Sequence, residues 1–199
     1  MLLAVALVAA ISVASVGAFG GSSPSTPAAD GPEAGFSRAM QLHHNQGVEL
    51  ALIARDRSDD EYFRILTYDM AVTQAQQSGQ MYGWLEAWEM PHFSTEDPMA
   101  WMEGTDAHES HAAPSDEGPG LMPGMASPEQ IAELQELSGV AAEARFLELM
   151  IMHHQGALEM ADAVLELSDN SAVTTLATAI EASQTAEIEL LESLLEERR

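Results

Sequence analysis

The sequence contains no cysteine, and its only basic residues are arginines. The absence of cysteine excludes disulfide bonds and thiolate metal sites. Seven arginines stand against 32 acidic residues, which gives a net charge of −25. This charge repels a phosphate backbone, so we do not expect the protein to bind nucleic acid. Most of the acidic residues are expected to form a solvated surface, although such a surface also attracts cations.

Familiar catalytic patterns are also missing. The sequence has no Ser-His-Asp pattern, no P-loop and no glycine-rich dinucleotide fingerprint. Helical bundles with an oxidase-type di-iron centre repeat Glu-x-x-His on two helices. Glu89-x-x-His92 is the one such pattern here, and Pro91 interrupts it. We therefore expect a binding protein rather than an enzyme.

The N-terminal segment carries no charge. Residues 1–19 contain no charged side chain, and the residues that follow are rich in Gly, Ser and Pro. This pattern predicts a signal peptide over residues 1–20, cleaved after Ala18, or alternatively a retained membrane anchor in the same segment. Residues 21–35 are predicted to form a flexible linker. In both cases the folded part is expected outside the cytoplasm, and in the second it is attached to the membrane through residues 1–19.

The rest of the chain has helical periodicity and no convincing strand pattern. Helices are predicted over residues 36–57, 58–89, a short stretch from Ser127, 140–167, and from Asn170 or Ser171 to the C-terminus. Arg198 and Arg199 suit the negative end of the last helix dipole.

These helices group into two hairpins, 36–89 and 127–199, joined by a Met- and His-rich crossover at residues 90–126. We therefore predict an all-α, ferritin-like four-helix bundle over residues 36–199, in which the hairpin is the repeated unit.

One short pattern supports the duplication directly. Phe-x-x-x-Met-x-x-His-His occurs at residues 36–44 and again at residues 146–154, and each copy continues to Glu and Ala at matching offsets. The partner helices repeat as well, because Gln74 and Gln77 align with Gln184 and Glu187. The repeat therefore spans whole hairpins.

Helical phasing assigns different surroundings to the members of each His-His pair. At about 100° per residue, His43 and His153 fall on the apolar stripes of their helices, whereas His44 and His154 fall at the edge, nearer solvent. Gly47 lies one turn further along, where a small residue lets a neighbour approach. Buried imidazole must be hydrogen-bonded or coordinated. Side chains expected to orient the imidazoles are Gln74, Gln184 and Glu187.

Two interpretations of these residues remain open. Imidazole and thioether without thiolate is the ligand set that suits copper outside the cytoplasm. However, a methionine stripe is usually core filling, and a buried histidine is usually a hydrogen-bonded core residue. The same two interpretations apply to the methionines and histidines of the crossover, which are either metal ligands or incidental loop residues. They are Met99, Met102, Met122, Met125, His92, His108 and His111.

Five segments resemble the family called domain of unknown function 305, particularly its actinobacterial-type members. They lie between Gly35 and Leu195 and read GFSRAMQLHHNQGVELA, TYDMAVTQAQQSGQMYGWLEAW, PMAWM, MPGMASPEQIAELQELSG and FLELMIMHHQGALEMA. That family is regarded as ferritin-like, exported or lipid-anchored, and in some members linked to copper binding and copper resistance. The resemblance implies a metal site formed by His43, His44, His153 and His154, with Met40, Met150 and Met160 beside them. It also implies a role for Asp69, which matches a recurrent acidic position.

The chain departs from the family pattern at four positions. The family commonly has Asp where Ala39 stands, Glu where Gln77 stands, and Met where Leu50 and Leu191 stand. The first copy has thus lost polar groups, and we expect the second copy to be the better site.

The leading hypothesis is an extracytoplasmic protein that sequesters or delivers copper, with another divalent metal as a variant of the same hypothesis. The alternative is a non-catalytic structural or interaction bundle at the cell surface, with hydrogen-bonded core histidines. A redox enzyme ranks third, because it needs a carboxylate beside the histidines and Glu187 is the only obvious inward one.

Overall fold

The computed structural model describes residues 26–105 and 122–199. These residues form α1 (Pro32–Arg57), α2 (Glu61–Ala87), a short 3₁₀ helix (Ala100–Met102), α3 (Pro128–Glu136), α4 (Gly139–Leu167) and α5 (Ser171–Glu197). Within the described ranges there is no strand, and the prediction of an all-α helical bundle is confirmed. None of the helices in these ranges combines the length and apolar character needed to cross a membrane.

Local signals set most helix ends. α1 begins at Pro32, earlier than the predicted residue 36, because proline is well accommodated in the first turn. α2 is capped by Asp60, whose carboxylate accepts from the Phe63 N–H at 3.1 Å. α2 therefore begins at Glu61, three residues after the predicted start at residue 58. Ser127 caps α3 as predicted, within a capping box that it shares with Gln130.

The two hairpins contact each other in a reciprocal manner. α1 packs on α2 and α4 on α5, and the hairpins join mainly through α1 and α4. In the α1–α2 turn, the Ser58 hydroxyl donates to Glu143 of α4 at 2.5 Å. In the α4–α5 turn, the Ser168 hydroxyl donates to Glu33 of α1 at 2.6 Å. This exchange of equivalent contacts is an approximate twofold symmetry, as the sequence repeat predicts.

The core consists of two apolar clusters with a polar layer between them. One cluster contains Leu50, Phe63 and Phe146, with the two phenyl rings edge to face at 5.5 Å. The other contains Phe36 and the buried methionines Met40, Met81, Met102, Met122 and Met160. On α1 and on α4, the His-His pair lies in sequence between the residues of one cluster and those of the other. The fold thus places the repeated motif at mid-height in the bundle.

Candidate metal centre

The four histidines of the repeated motif form one buried group, which we call the histidine row. The ring centroids of His43 and His153, from different hairpins, are 3.8 Å apart. His44 lies 6.5 Å from His43, and His154 lies 6.3 Å from His153. All four side chains are 0% exposed. The prediction that His44 and His154 lie nearer solvent is wrong, because α2 and α5 cover that edge.

Each ring uses its Nε2 atom for a hydrogen bond to an oxygen. His44 Nε2 meets Gln77 Oε1 at 2.7 Å, and His154 Nε2 meets Glu187 Oε2 at the same distance. His43 Nε2 donates to the Pro123 carbonyl at 3.0 Å, and His153 Nε2 donates to the His43 carbonyl at 2.9 Å. Carbonyl and carboxylate oxygens only accept, so each of the four Nε2 atoms carries a proton and donates it.

The opposite ring nitrogens are left without a partner. The Nδ1 atoms of all four histidines are buried and make no hydrogen bond to any residue that the structure describes. A neutral imidazole protonated at Nε2 carries a lone pair at Nδ1. Metal-bound histidines typically have this arrangement, in which one nitrogen binds the metal and the other donates to an oxygen. The donor set therefore fits a metal ion.

Burial favours the neutral form of three of these rings, His43, His44 and His153. Burial, with a smaller contribution from the neighbouring His44 ring, lowers the pKa of His43 to about 3. Burial also lowers the pKa of His44 to about 4, although the hydrogen bond to Gln77 acts in the opposite direction. The pKa of His153 lies well below its ordinary value, first because of burial and then because of the adjacent His43. Neutral imidazole is the form that binds metal.

The side chains expected to orient the imidazoles occupy different places. Glu187 contacts His154 directly, whereas the amide of Gln74 donates to the Met150 sulfur at 3.8 Å. Gln184 is buried, and its Oε1 has no hydrogen-bond partner among the described residues. Asp69 is exposed on α2. Gln77, which the sequence identifies only by its alignment with Glu187, is the partner of His44.

The methionines are distributed over both apolar clusters. Met40 and Met160 are fully buried in one cluster, and Met150 is fully buried in the other. From the crossover, Met102 and Met122 pack into the cluster of Met40, and Met99 and Met125 lie partly buried against it. These thioethers fill the core, as the conservative interpretation of the sequence expects.

His92, the crossover histidine within the described residues, lies apart from the row. The Nε2 atom of His92 contacts Glu86 at 2.6 Å, and its ring stacks on Tyr82 at 4.1 Å. Tyr82 and His92 border a cleft of about 480 Å³ whose lining includes none of the four motif histidines. His108 and His111 lie outside the described residues.

Sequence reasoning missed the segment that covers the row. Pro123, which accepts from His43, and Ala126, which is bound by the side chain of Gln46, are both 80 residues from their partners. A contact across such a separation leaves no periodic signal. Gly156 is a local indication of this contact, because a side chain at that position would meet Pro123.

The rings are not already assembled as a ligand set. Across residues 26–105 and 122–199, no group of three or more His, Asp or Glu side chains is positioned to hold a metal ion. His43 and His153 are instead tilted against each other at 33°. A metal ion held by these rings would require the imidazoles to rotate so that their Nδ1 atoms converge.

Comparisons with known proteins agree with this architecture. The profile of the family DUF305, Domain of unknown function, matches residues 33–195. The chain is 43% identical to a DUF305 protein of Streptomyces coelicolor that is named as a secreted protein, with 86% of this chain and 96% of that chain covered and a TM-score of 0.76. It is 31% identical to a DUF305 fragment of Deinococcus radiodurans, with 83% and 96% covered and a TM-score of 0.66.

A third solved structure is more distant. CopM in its Cu(I)-bound form is 18% identical, with 83% of this chain and 96% of that chain covered and a TM-score of 0.61. At this level of identity, the similarity between the two chains concerns the fold. No curated protein matches the sequence.

Proposed function

The chain belongs to the DUF305 family, and we propose that it is an extracytoplasmic copper-binding protein that sequesters or delivers the ion. The observation that carries this proposal is the row of four buried histidines. Each donates Nε2–H to an oxygen and leaves Nδ1 without a partner among the described residues. A buried polar atom without a partner costs free energy, and four equivalent ones in one layer are accounted for by a shared ligand.

The chemistry of the surroundings favours copper. Imidazole and thioether ligands without thiolate select copper over harder cations. Met150 is the motif methionine whose sulfur contacts the polar layer, through Gln74. We assign the metal to His43, His44, His153 and His154, with Met150, Met40 and Met160 as sources of thioether. CopM, which shares the fold, has been solved in Cu(I)- and Cu(II)-bound forms.

The location outside the cytoplasm rests on two supports. The related Streptomyces coelicolor protein is named as secreted. Residues 1–19 of this chain have the uncharged character of a signal peptide or an anchor. The excess of acidic residues adds an attraction for cations at the surface.

The test is a titration of the metal-free protein with Cu(I) and Cu(II) in competition with a chromogenic chelator. The informative variant changes His43, His44, His153 and His154 to Gln. Glutamine keeps an N–H donor for the oxygen partners but lacks the imidazole lone pair. We expect the wild type to compete for copper and the variant to lose at least about 100-fold in affinity, since it lacks several ligands.

The matched control is His92→Gln. His92 also donates to a carboxylate but lies outside the row, so its substitution should leave copper affinity unchanged. Equal and weak binding by the wild type and the fourfold variant would overturn the proposal. Retained tight binding by the fourfold variant would do the same, because the metal would then be held elsewhere.

One observation favours a second candidate, a structural or interaction module. Every motif histidine already has a hydrogen bond, and no ligand set is assembled in the described ranges. In that case copper should leave the melting temperature unchanged. A rise in melting temperature that saturates with added copper contradicts this candidate, since only a ligand of the folded state stabilises it.

A further inference from the structure

Metal ions cannot reach the histidine row in the structure as it stands. All four side chains are 0% exposed, so some part of the fold must move aside before a ligand enters or leaves. The helices are poor candidates, because each carries large apolar side chains in one or both core clusters. The segment over the central pair, His43 and His153, is residues 122–126, the end of the crossover, which we call the strap.

The strap is attached to α1 by three hydrogen bonds. The Gln46 side chain binds both backbone groups of Ala126: its amide donates to the carbonyl at 2.9 Å, and its oxygen accepts from the N–H at 2.7 Å. Three residues earlier in α1, His43 donates to the carbonyl of Pro123 at 3.0 Å. The same stretch of helix therefore presents a metal-binding histidine and the side chain that holds its cover.

Against α4, the strap fits a space that only glycine leaves open. A Cβ atom at Gly156 would lie 2.0 Å from the Pro123 carbonyl oxygen. Gly124 has a φ of +72°, and a Cβ there would lie 2.2 Å from the Met152 carbonyl oxygen. The strap thus touches backbone on α4, beside His153 and His154, with no room for a side chain in between.

We propose that the strap is the gate of the histidine row and that Gln46 is the positioning residue that latches it. This inference rests on the proposed copper-binding function. Each latch hydrogen bond contributes only a small net stabilisation, because both groups can bond to water instead, whereas parting two packed helices would expose large apolar side chains. The strap therefore opens first, and its remaining attachments are the small apolar contacts of Met122, Met125 and Ala126.

A gate controls rates more than affinity. Loosening the latch raises the fraction of time that the strap is open, so copper enters and leaves faster in equal proportion. The dissociation constant, which is the ratio of the two rates, changes little. Simple loss of structure has a different signature, because it weakens binding and lowers the melting temperature together.

Two variants open the strap from opposite sides. Gln46→Ala removes the bonds to Ala126, and Gly156→Ala places a methyl group against the Pro123 carbonyl. The control for the first is Gln41→Ala, also a half-buried glutamine of α1, whose amide donates only to Ser37 of its own helix. The control for the second is Gly79→Ala, because a Cβ at Gly79 would meet nothing within 4 Å.

The main measurement is stopped-flow transfer of Cu(I) from the loaded protein to a chelator, together with capture by the metal-free protein. We expect Gln46→Ala and Gly156→Ala to speed both processes by about tenfold. This factor corresponds to a decrease of about 1.4 kcal/mol in the free energy needed to open the strap. The two controls should match the wild type. Unchanged rates in both strap variants of a copper-binding protein overturn the gate and leave the proposed function intact.

A metal-free measurement decides the gate independently. Diethyl pyrocarbonate modifies accessible imidazoles, and peptide mass spectrometry reports the rate at each histidine. We expect faster modification of His43 in the two strap variants, with the rate at His92 unchanged. If the wild type binds no copper, the proposed function fails, but this labelling still tests whether the strap opens. Equal His43 labelling in all five proteins contradicts the gate.

Discussion

At the scale of single residues, the two halves of the site differ in one charge. His44 and its partner Gln77 are 33 residues apart, and so are His154 and its partner Glu187. The contacts are geometrically equivalent, at 2.7 Å in each case. However, a carboxylate acceptor makes the imidazole a stronger ligand and offsets the charge of a bound cation, whereas an amide does neither.

This difference predicts opposite effects for two exchange variants. Glu187→Gln should lower copper affinity by about 10- to 100-fold, the usual range when the oxygen partner of a metal-binding histidine is altered. Gln77→Glu should raise the affinity, because it gives His44 the acceptor that His154 already has. Competition titrations of both variants against the wild type measure the two shifts.

The matched control for this pair is Glu86→Gln. Glu86 accepts from His92 at 2.6 Å, outside the histidine row, so its substitution should leave copper affinity unchanged. A decrease in affinity for both Glu187→Gln and Gln77→Glu contradicts the argument from charge, since it would mean that only the native shape matters.

At the scale of helices and turns, a buried ion pair joins three parts of the bundle. Glu143 of α4 is 4% exposed; it accepts from Ser58 of the α1–α2 turn at 2.5 Å and from Arg198 at the end of α5 at 2.7 Å. Arg198 also donates to the Leu194 carbonyl and lies over the Phe63 ring. Arg198 therefore forms a buried ion pair in addition to the interaction with the helix dipole that the sequence predicts.

Removal of Arg198 should be costly. Arg198→Ala leaves the Glu143 carboxylate buried beside a neutral hydroxyl, and breaking a buried pair in this way costs about 3 to 5 kcal/mol. The free energy of unfolding in urea measures the loss. Arg145→Ala is the control, because Arg145 pairs with the more exposed Glu133 and Glu148 and should cost about 1 kcal/mol or less. Equal losses in the two variants would contradict the importance of burial.

The elements also show how far the sequence predicts the site. Periodicity and caps predict the helices and the burial of His43 and His153, because both depend on neighbours within a few residues. Phasing fails for His44 and His154, since one helix cannot reveal how much of its circumference its neighbours cover. Neither the strap nor the pairing of Ser58 with Glu143 is predicted, because their partners lie 80 and 85 residues away.

At the scale of the whole molecule, the histidine row makes stability depend on pH. In the unfolded chain these imidazoles have a pKa of about 6.5. In the folded chain, burial lowers the pKa of His43 to about 3 and of His44 to about 4, and holds that of His153 well below its ordinary value. The unfolded state therefore binds more protons below pH 6.5, and the free energy of unfolding decreases as the pH falls.

The predicted decrease is steep. Each of the three rings contributes up to about 1.4 kcal/mol per pH unit, so together they contribute up to about 4 kcal/mol per unit. That slope is large against a typical domain stability of about 5 to 15 kcal/mol. We expect the melting temperature of the metal-free protein to fall sharply between pH 6.5 and pH 5, measured by circular dichroism with a chelator present.

The chosen pH window separates histidines from carboxylates, whose ordinary pKa values of about 4 lie below it. Protonation of acidic residues would also relieve the repulsion within a chain of net charge −25, which raises stability on acidification and opposes the histidine effect. The control is a variant with His43, His44 and His153 changed to Gln, in which the fourth histidine of the row, His154, and its partner Glu187 stay in place. Its melting temperature should vary little across the window. A wild-type melting temperature that stays flat from pH 6.5 to pH 5 would show that the buried rings take up protons without unfolding the bundle, so that the row is open to water even without its metal.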